Sequence, residues 1–274
     1  MKAYIFHLLP FVMLLISCNE NAKENNKKVM DQLQKVATKK SDIHPFTEPM
    51  NEGHQTEEFL KQQVFQFDID LNFGGNDRLD GTLYTNTNSS GIRIDKVDGS
   101  SLVFDGKQVY LTPADANDKG ARFDMFTWQY FFALPYKLND PGTQWEDLET
   151  LKLSDSLELP AGRLSFKSGT GDAPDDWYVV YYDPENGLIH TAGYIVTFGG
   201  KDPEEAEANA HAICYHDYQD VEGIPVATRW TFHNWNKESG LGEQLGEAKL
   251  KNLKFSTLHD SIFSKPKNAK AINM

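Results

Sequence analysis

Cysteine is almost absent: the chain has two, Cys18 and Cys214. Long hydrophobic runs are absent as well. The longest apolar stretch, Ile5–Ile16, is interrupted by His7 and Pro10 and falls short of the about 20 residues that a membrane-spanning helix needs. Positive charge is scarce, with a formal net charge of -13. Such a chain repels phosphate backbones and anionic headgroups, which excludes nucleic acid as a partner and a basic membrane-surface patch. Also missing are HExxH, GxSxG, a P-loop and paired CxxC motifs, the better-specified hydrolase, nucleotide and zinc signatures. No cofactor and no metal is therefore expected, and an enzyme is disfavoured.

What is present begins at the N-terminus. Lys2 supplies a positive charge before the short apolar stretch, and Leu15-Ile16-Ser17-Cys18 follows it. That order is a secretory signal, not a membrane helix. The small Ser17 before Cys18 is similar to a bacterial lipobox, in which the cysteine becomes the first mature residue and carries acyl chains. Several chains on one residue anchor stably, where one alone binds marginally. The expectation is a Gram-negative envelope protein, lipidated at Cys18 and tethered to the outer membrane on its periplasmic side. With Cys18 acylated, Cys214 has no partner for an internal disulfide, so stability must come from a core.

The predicted organisation is a signal peptide over 1–17, a lipidated tether over 18–28, an N-terminal helix and linker over 29–55, and one β domain over 56–274. Val29, Met30, Leu33, Val36 and Ala37 fall at helical spacings of three and four. "HPFTEPMNEGHQ" (44–55) reads as a linker with two prolines. The period then changes. In "VFQFDIDLNF", Phe65, Phe67, Ile69, Leu71 and Phe73 alternate with polar residues, the mark of a half-buried antiparallel strand. Further strands are predicted at 81–86, 91–97, 102–111 (with Asp105-Gly106 as a turn), 162–167, 177–182, 189–198, 211–218, 224–235 and 247–255. The fold class is mainly β, a curved antiparallel sheet of roughly ten strands closed by a few helices.

"ARFDMFTWQYFFALPYKLND" (121–140) stands apart, because half of the side chains from Phe123 to Tyr136 are aromatic. Phe123, Phe126, Thr127, Tyr130, Phe131 and Leu134 form a helical stripe, and Pro135 sits where the helix should stop. Trp128, Phe132, Asp124 and Gln129 fall on the other side. Such a helix plugs a curved sheet as core, or its aromatic residues line a cavity for an apolar ligand. The candidate lining is Phe126, Trp128, Tyr130, Phe132 and Tyr136. Bilayer insertion is disfavoured, since the stretch lacks the cationic face of interfacial helices.

"YHDYQDVEGIPVATRWTFHNW" (215–235), "GEAKLKNLKFSTLHDSIFSKP" (246–266) and "VVYYDPENGLIH" (179–190) together resemble the envelope lipoprotein carrier superfamily that includes LolA and LolB. The aromatic stretch and "YIVTFGG" (194–200) are also similar to bacterial envelope lipoproteins. The resemblance implies an antiparallel half-barrel closed by short helices over a cavity that accepts acyl chains, with a lipid or an acylated protein as partner. Soluble LolA-type carriers use an arginine-centred lock on the lid helix. No equivalent is matched here, and Arg122 is nearest by position alone. The lipobox places the chain closer to the anchored LolB type. An envelope assembly module without a ligand is the alternative reading, and a glycan or lipid hydrolase a further one.

Three other constellations offer chemistry. His211, Cys214, His216 and Asp217 are close in sequence, but on a strand Cys214 and His216 share one face and Asp217 points away. Asp172, Asp175 and Asp176 lie on a glycine-containing loop without the order of an EF-hand. His190, His233, Trp230 and Trp235 could line a glycan face. The odd spacing of the two tryptophans instead predicts opposite faces of one strand.

Overall fold

The computed structural model describes residues 43–273, so the signal segment, Cys18, the tether and the helix expected within 27–40 lie outside the described residues. The segment 44–55 is not a linker. Its prolines start helices: Pro45 opens a 3-10 turn (Pro45–Thr47) and Pro49 sits in the first turn of α1 (Glu48–Gly53). Proline suits those positions because its missing N–H would have no helical partner there. Helix α2 (Thr56–Lys61) follows. This segment buries Phe46, Met50, His54 and Phe59, and Phe46 lies so close over Gly162 that a Cβ there would meet its ring at 2.5 Å.

Strands β1 (Val64–Phe73), β2 (Asn76–Asn86), β3 (Ile92–Lys96), β4 (Ser101–Phe104) and β5 (Val109–Thr112) form one meander. Helix α3 (Ala121–Ala133) and a 3-10 turn (Leu134–Tyr136) come next. A second meander comprises β6 (Thr143–Ser154), β7 (Leu157–Phe166), β8 (Tyr178–Tyr182), β9 (Ile189–Tyr194), the short helix α4 (Pro203–Glu207), β10 (His211–Val221), β11 (Ile224–Asn236) and β12 (Gly240–Ser256). A short β13 (Lys270–Ala271) ends the series.

All strands join one antiparallel sheet in the order β13-β5-β4-β3-β2-β1-β12-β11-β10-β9-β8-β7-β6. The two meanders meet where β1 pairs with β12, from Val64 opposite Ser256 to Phe73 opposite Gly246. This topology dictates the place of α3. The chain leaves β5 beside one edge and must re-enter as β6 at the other, so the connection crosses the face of the sheet. The sheet curls without closing into a barrel, and register shifts mark where it bends. One falls between Gln66 and Asp68 opposite Asn252, whose φ is 53°. Others lie at 232–235 of β11 and 147–150 of β6.

The alternation expected of β1 is observed: Phe65, Phe67, Ile69 and Leu71 are buried while Asp70 and Asn72 are exposed. These side chains join Leu83, Ile94, Trp230 and Phe232 under α3 in the main core. A smaller core packs Leu153, Trp177, Tyr181 and Trp235. Trp230 and Trp235 thus belong to different cores, as their odd spacing predicts, and Trp235 takes its room from Gly193.

Two strands escaped the sequence reading, β6 and β13, and β2, β7 and β12 run longer than expected. Strand β10 does not stop near Tyr218. It passes through Asp217 (φ 55°) without a shift of register and continues to Val221, where a tight Glu222-Gly223 turn leads into β11.

Candidate functional site

Helix α3 presents two contrasting sides. The side carrying Ala121, Asp124, Met125, Trp128, Gln129 and Phe132 is buried. Phe132 lies 4.9 Å from the ring of Phe65 and 4.8 Å from that of Phe67. The polar members of this side are satisfied by residues distant in sequence. Asp124 is 1% exposed and accepts from Arg78 at 2.7 Å, Lys96 at 3.3 Å and Trp128 Nε1 at 3.0 Å. Its negative charge in the first turn also suits the helix dipole. Gln129 donates to Thr85 Oγ1 at 3.1 Å and Ser89 Oγ at 2.7 Å. The continuous apolar stripe read from the sequence is therefore only partly core: Phe131 and Leu134 are buried. Phe123, Phe126, Thr127 and Tyr130 are only partly buried.

That stripe faces an open groove of about 540 Å³. On the first-meander side it is walled by Ile92 and Phe104, and on the other by Phe166, Tyr178, Tyr194, Val196 and Phe198. Edge-on aromatic contacts fix the rings: Phe126 to Phe104 at 5.1 Å, Phe123 to Phe198 at 5.7 Å, and Tyr130 to Tyr178 at 5.4 Å in a tilted pair. A second cavity of about 360 Å³ shares Phe123, Thr127, Phe131, Tyr194 and Val196 with the groove. It adds Phe73, Arg78, Trp128, Lys201 and His211.

Of the five cavity residues expected from sequence, Phe126 and Tyr130 line the groove, and Trp128 lines the second cavity. Phe132 and Tyr136 line neither and are core. Tyr136 stacks on Phe59 at 3.6 Å, with its hydroxyl donating to Pro225 O at 3.2 Å. Sequence reasoning missed the two walls, because Phe104, Phe166 and Phe198 come from β4, β7 and the loop after β9. Phe166 and Phe104 sit at the ends of strands, which was the available signal.

Polar groups gather where the groove meets the loop 167–176. Arg122 holds Asp172 at 2.6 Å while lying over Phe198, 5.5 Å from the ring centre. This ties the loop to α3. Asp176 Oδ1 accepts from Thr197 N and Oγ1, both at 2.7 Å. Burial pushes the Asp176 carboxyl up, against the pull of those bonds. Lys137 pairs with Asp140. The aspartate loop is thus a structural turn locked by Arg122 and Thr197, and among the described residues no cluster has metal-holding geometry.

The remaining constellations also resolve into sheet packing. Cys214 is buried and accepts from Thr191 Oγ1 at 3.3 Å, and burial pushes its thiol up, which makes it a poor nucleophile. His216 and His233 both reach Thr231 Oγ1, at 2.8 and 3.0 Å. His190 bonds Thr191 at 2.8 Å. Asp217 pairs with Arg229 at 2.7 Å.

No family model matches the chain, and a comparison with curated proteins finds no match. Solved structures do match. A DUF1329-family protein from Desulfovibrio piger superposes with a TM-score of 0.52 at 12% identity, covering 81% of this chain and 98% of that one. A LolA-superfamily protein from Nitrosomonas europaea gives 0.50 at 10% identity, covering 77% and 97%. The fold is therefore LolA-like, a large open antiparallel sheet with few helices. A fold hosts many functions, so function has to be argued from the groove.

Proposed function

We propose that this chain is a non-catalytic, lipid-anchored protein of the Gram-negative envelope that holds a lipid or an acylated partner in the groove beside α3. One observation carries the reading: a space of about 540 Å³ is walled mainly by aromatic and aliphatic side chains and left unfilled by a helix that is otherwise packed as core. Such a size and lining fit a small-molecule site. Ten methylenes buried there would contribute about 8 kcal/mol before the cost of ordering the chain. The similarity of fold to a LolA-superfamily protein supports the reading. So does the lipobox-like Leu15-Ile16-Ser17-Cys18, which would hold the groove near a membrane.

The test uses the full chain purified from a Gram-negative host. Mass spectrometry of its organic extract should find acyl lipid, and the environment-sensitive probe N-phenyl-1-naphthylamine should brighten on binding. Phe126→Glu, which puts a charge in the groove wall, should abolish the brightening. An empty extract together with a silent probe would overturn the proposal. A crosslinked protein partner with no lipid would instead support the assembly-module reading. Anchoring is tested separately, by loss of radiolabelled palmitate in Cys18→Ala.

A further inference from the structure

A residue that lines the groove carries a polar atom that the protein leaves without a partner. Tyr130 Oη is buried and has no hydrogen-bonding partner among the described residues. Its ring lines the groove and is fixed 5.4 Å from Tyr178 and 6.4 Å from Phe166. Three other tyrosines near α3 are satisfied: Tyr215 donates to Phe131 O at 2.7 Å, Tyr218 to Ile189 O at 2.7 Å, and Tyr136 to Pro225 O. A buried polar group in a folded protein is normally paired. Of the buried side-chain atoms left without a partner among the described residues, Tyr130 Oη is the one whose residue lines the open apolar groove, where a ligand atom could complete it.

The surroundings specify that atom. Burial pushes the Tyr130 phenol up, with Asp140 and Asp176 adding in the same direction, so the hydroxyl keeps its proton and can donate. Asp140 is already paired with Lys137. Asp176 also lines the groove, with one oxygen held by Thr197 and no hydrogen bond to the other among the described residues. A ligand carboxylate at Tyr130 would meet this second carboxylate in a poorly solvated place, and like charges there are disfavoured. A neutral carbonyl accepts the same hydrogen bond without that penalty.

We infer that the groove is selective for acyl esters and amides over free fatty acids, with the ligand's carbonyl oxygen accepting from Tyr130 Oη and its chain running along Phe126 and Phe104. The inference rests on the reading of the groove as an acyl site. It makes Tyr130 a binding residue and Asp176 the group that rejects a charged head. Lys107, which lines the groove on the Phe104 side, is the place where a carboxylate would bind if this assignment were wrong.

The experiment is displacement of N-phenyl-1-naphthylamine from the full chain by methyl laurate, laurate and dodecane at pH 7.5. Methyl laurate should displace at least about tenfold better than laurate. Tyr130→Phe keeps the ring and removes only the hydroxyl. It should weaken methyl laurate about three- to tenfold, the range of one net hydrogen bond, and leave dodecane unchanged. Its folding stability should not fall, because the hydroxyl has no partner to lose. Asp176→Asn keeps an oxygen for Thr197 and should narrow the gap between ester and acid. Equal displacement by ester and acid, or unaltered ester binding in Tyr130→Phe, overturns the inference while dodecane binding keeps the groove reading intact. Loss of laurate binding on Lys107→Gln but not of ester selectivity on Asp176→Asn also overturns it. If neither probe nor any of the three ligands binds, the groove reading itself fails.

Discussion

His54 is a strongly perturbed titrating group that can be tested without any ligand. It has no exposed surface, and its ring packs against Tyr136 at 6.0 Å and Tyr218 at 5.7 Å. Its Nε2 accepts from Ile189 N at 2.9 Å, so the ring is neutral with its proton on Nδ1, which has no partner. Burial pulls its pKa from 6.5 to about 3. The unfolded chain therefore takes up a proton near pH 6.5 that the folded chain refuses until about pH 3. Stability from this group is whole above pH 6.5 and is lost as pH falls toward 3. Integrating between those limits gives a loss of about 2 kcal/mol at pH 5. His54→Gln removes the titration and retains an acceptor for Ile189. Urea unfolding of both proteins at pH 7.5 and pH 5 isolates the effect, because carboxylates and the other histidines contribute to both alike. The wild type should lose about 2 kcal/mol more than the variant between those two conditions. Equal losses would refute the reasoning, whatever the variant's absolute stability.

Two contrasts test the division of α3 into a core side and a groove side. Phe132→Ala should destabilise by about 3–5 kcal/mol in urea unfolding, the usual range for a buried aromatic. Phe126→Ala should cost less than half as much while weakening probe binding. Asp124→Ala leaves Arg78, Lys96 and Trp128 Nε1 without their shared acceptor and should destabilise by about 3 kcal/mol. Asp124→Asn should cost less, since it keeps an oxygen for Trp128. A neutral result for Asp124→Ala would show that the two partly exposed cations are simply rehydrated.

Much of the sheet was legible because its strands are half-buried and keep a strict period of two, as β1 does from Phe65 to Phe73. Strand β6 was not, for a definable reason. Its apolar residues Trp145, Leu148, Leu151 and Leu153 are spaced by three, three and two. The register shift between Asp147 and Thr150, with Glu149 at φ 60°, displaces the alternation. The strand also lies on an edge, so only Leu153 among its residues is buried and the strand carries no alternating burial pattern. The segment 44–55 misled through its prolines, which break a helix interior but serve equally well in a first turn.

The candidate site shows the same limit more sharply. Periodicity identified α3 and its stripe, and a stripe of aromatic residues is ordinarily the core-facing side. Here the stripe divides, Phe131 and Leu134 being buried and the rest only partly so, because burial of a polar group depends on partners that sequence spacing does not reveal. Arg78, Lys96, Thr85 and Ser89 all precede the helix by more than twenty residues, yet they converge on Asp124 and Gln129. Those bonds offset the desolvation of the polar side and turn it inward. With that side committed to the core, Phe123, Phe126 and Tyr130 are left facing outward over the groove. The aromatic surplus that made the stretch conspicuous is thus divided. Phe132 and Tyr136 hold the fold, and Phe126 and Tyr130 line the groove proposed as a ligand site.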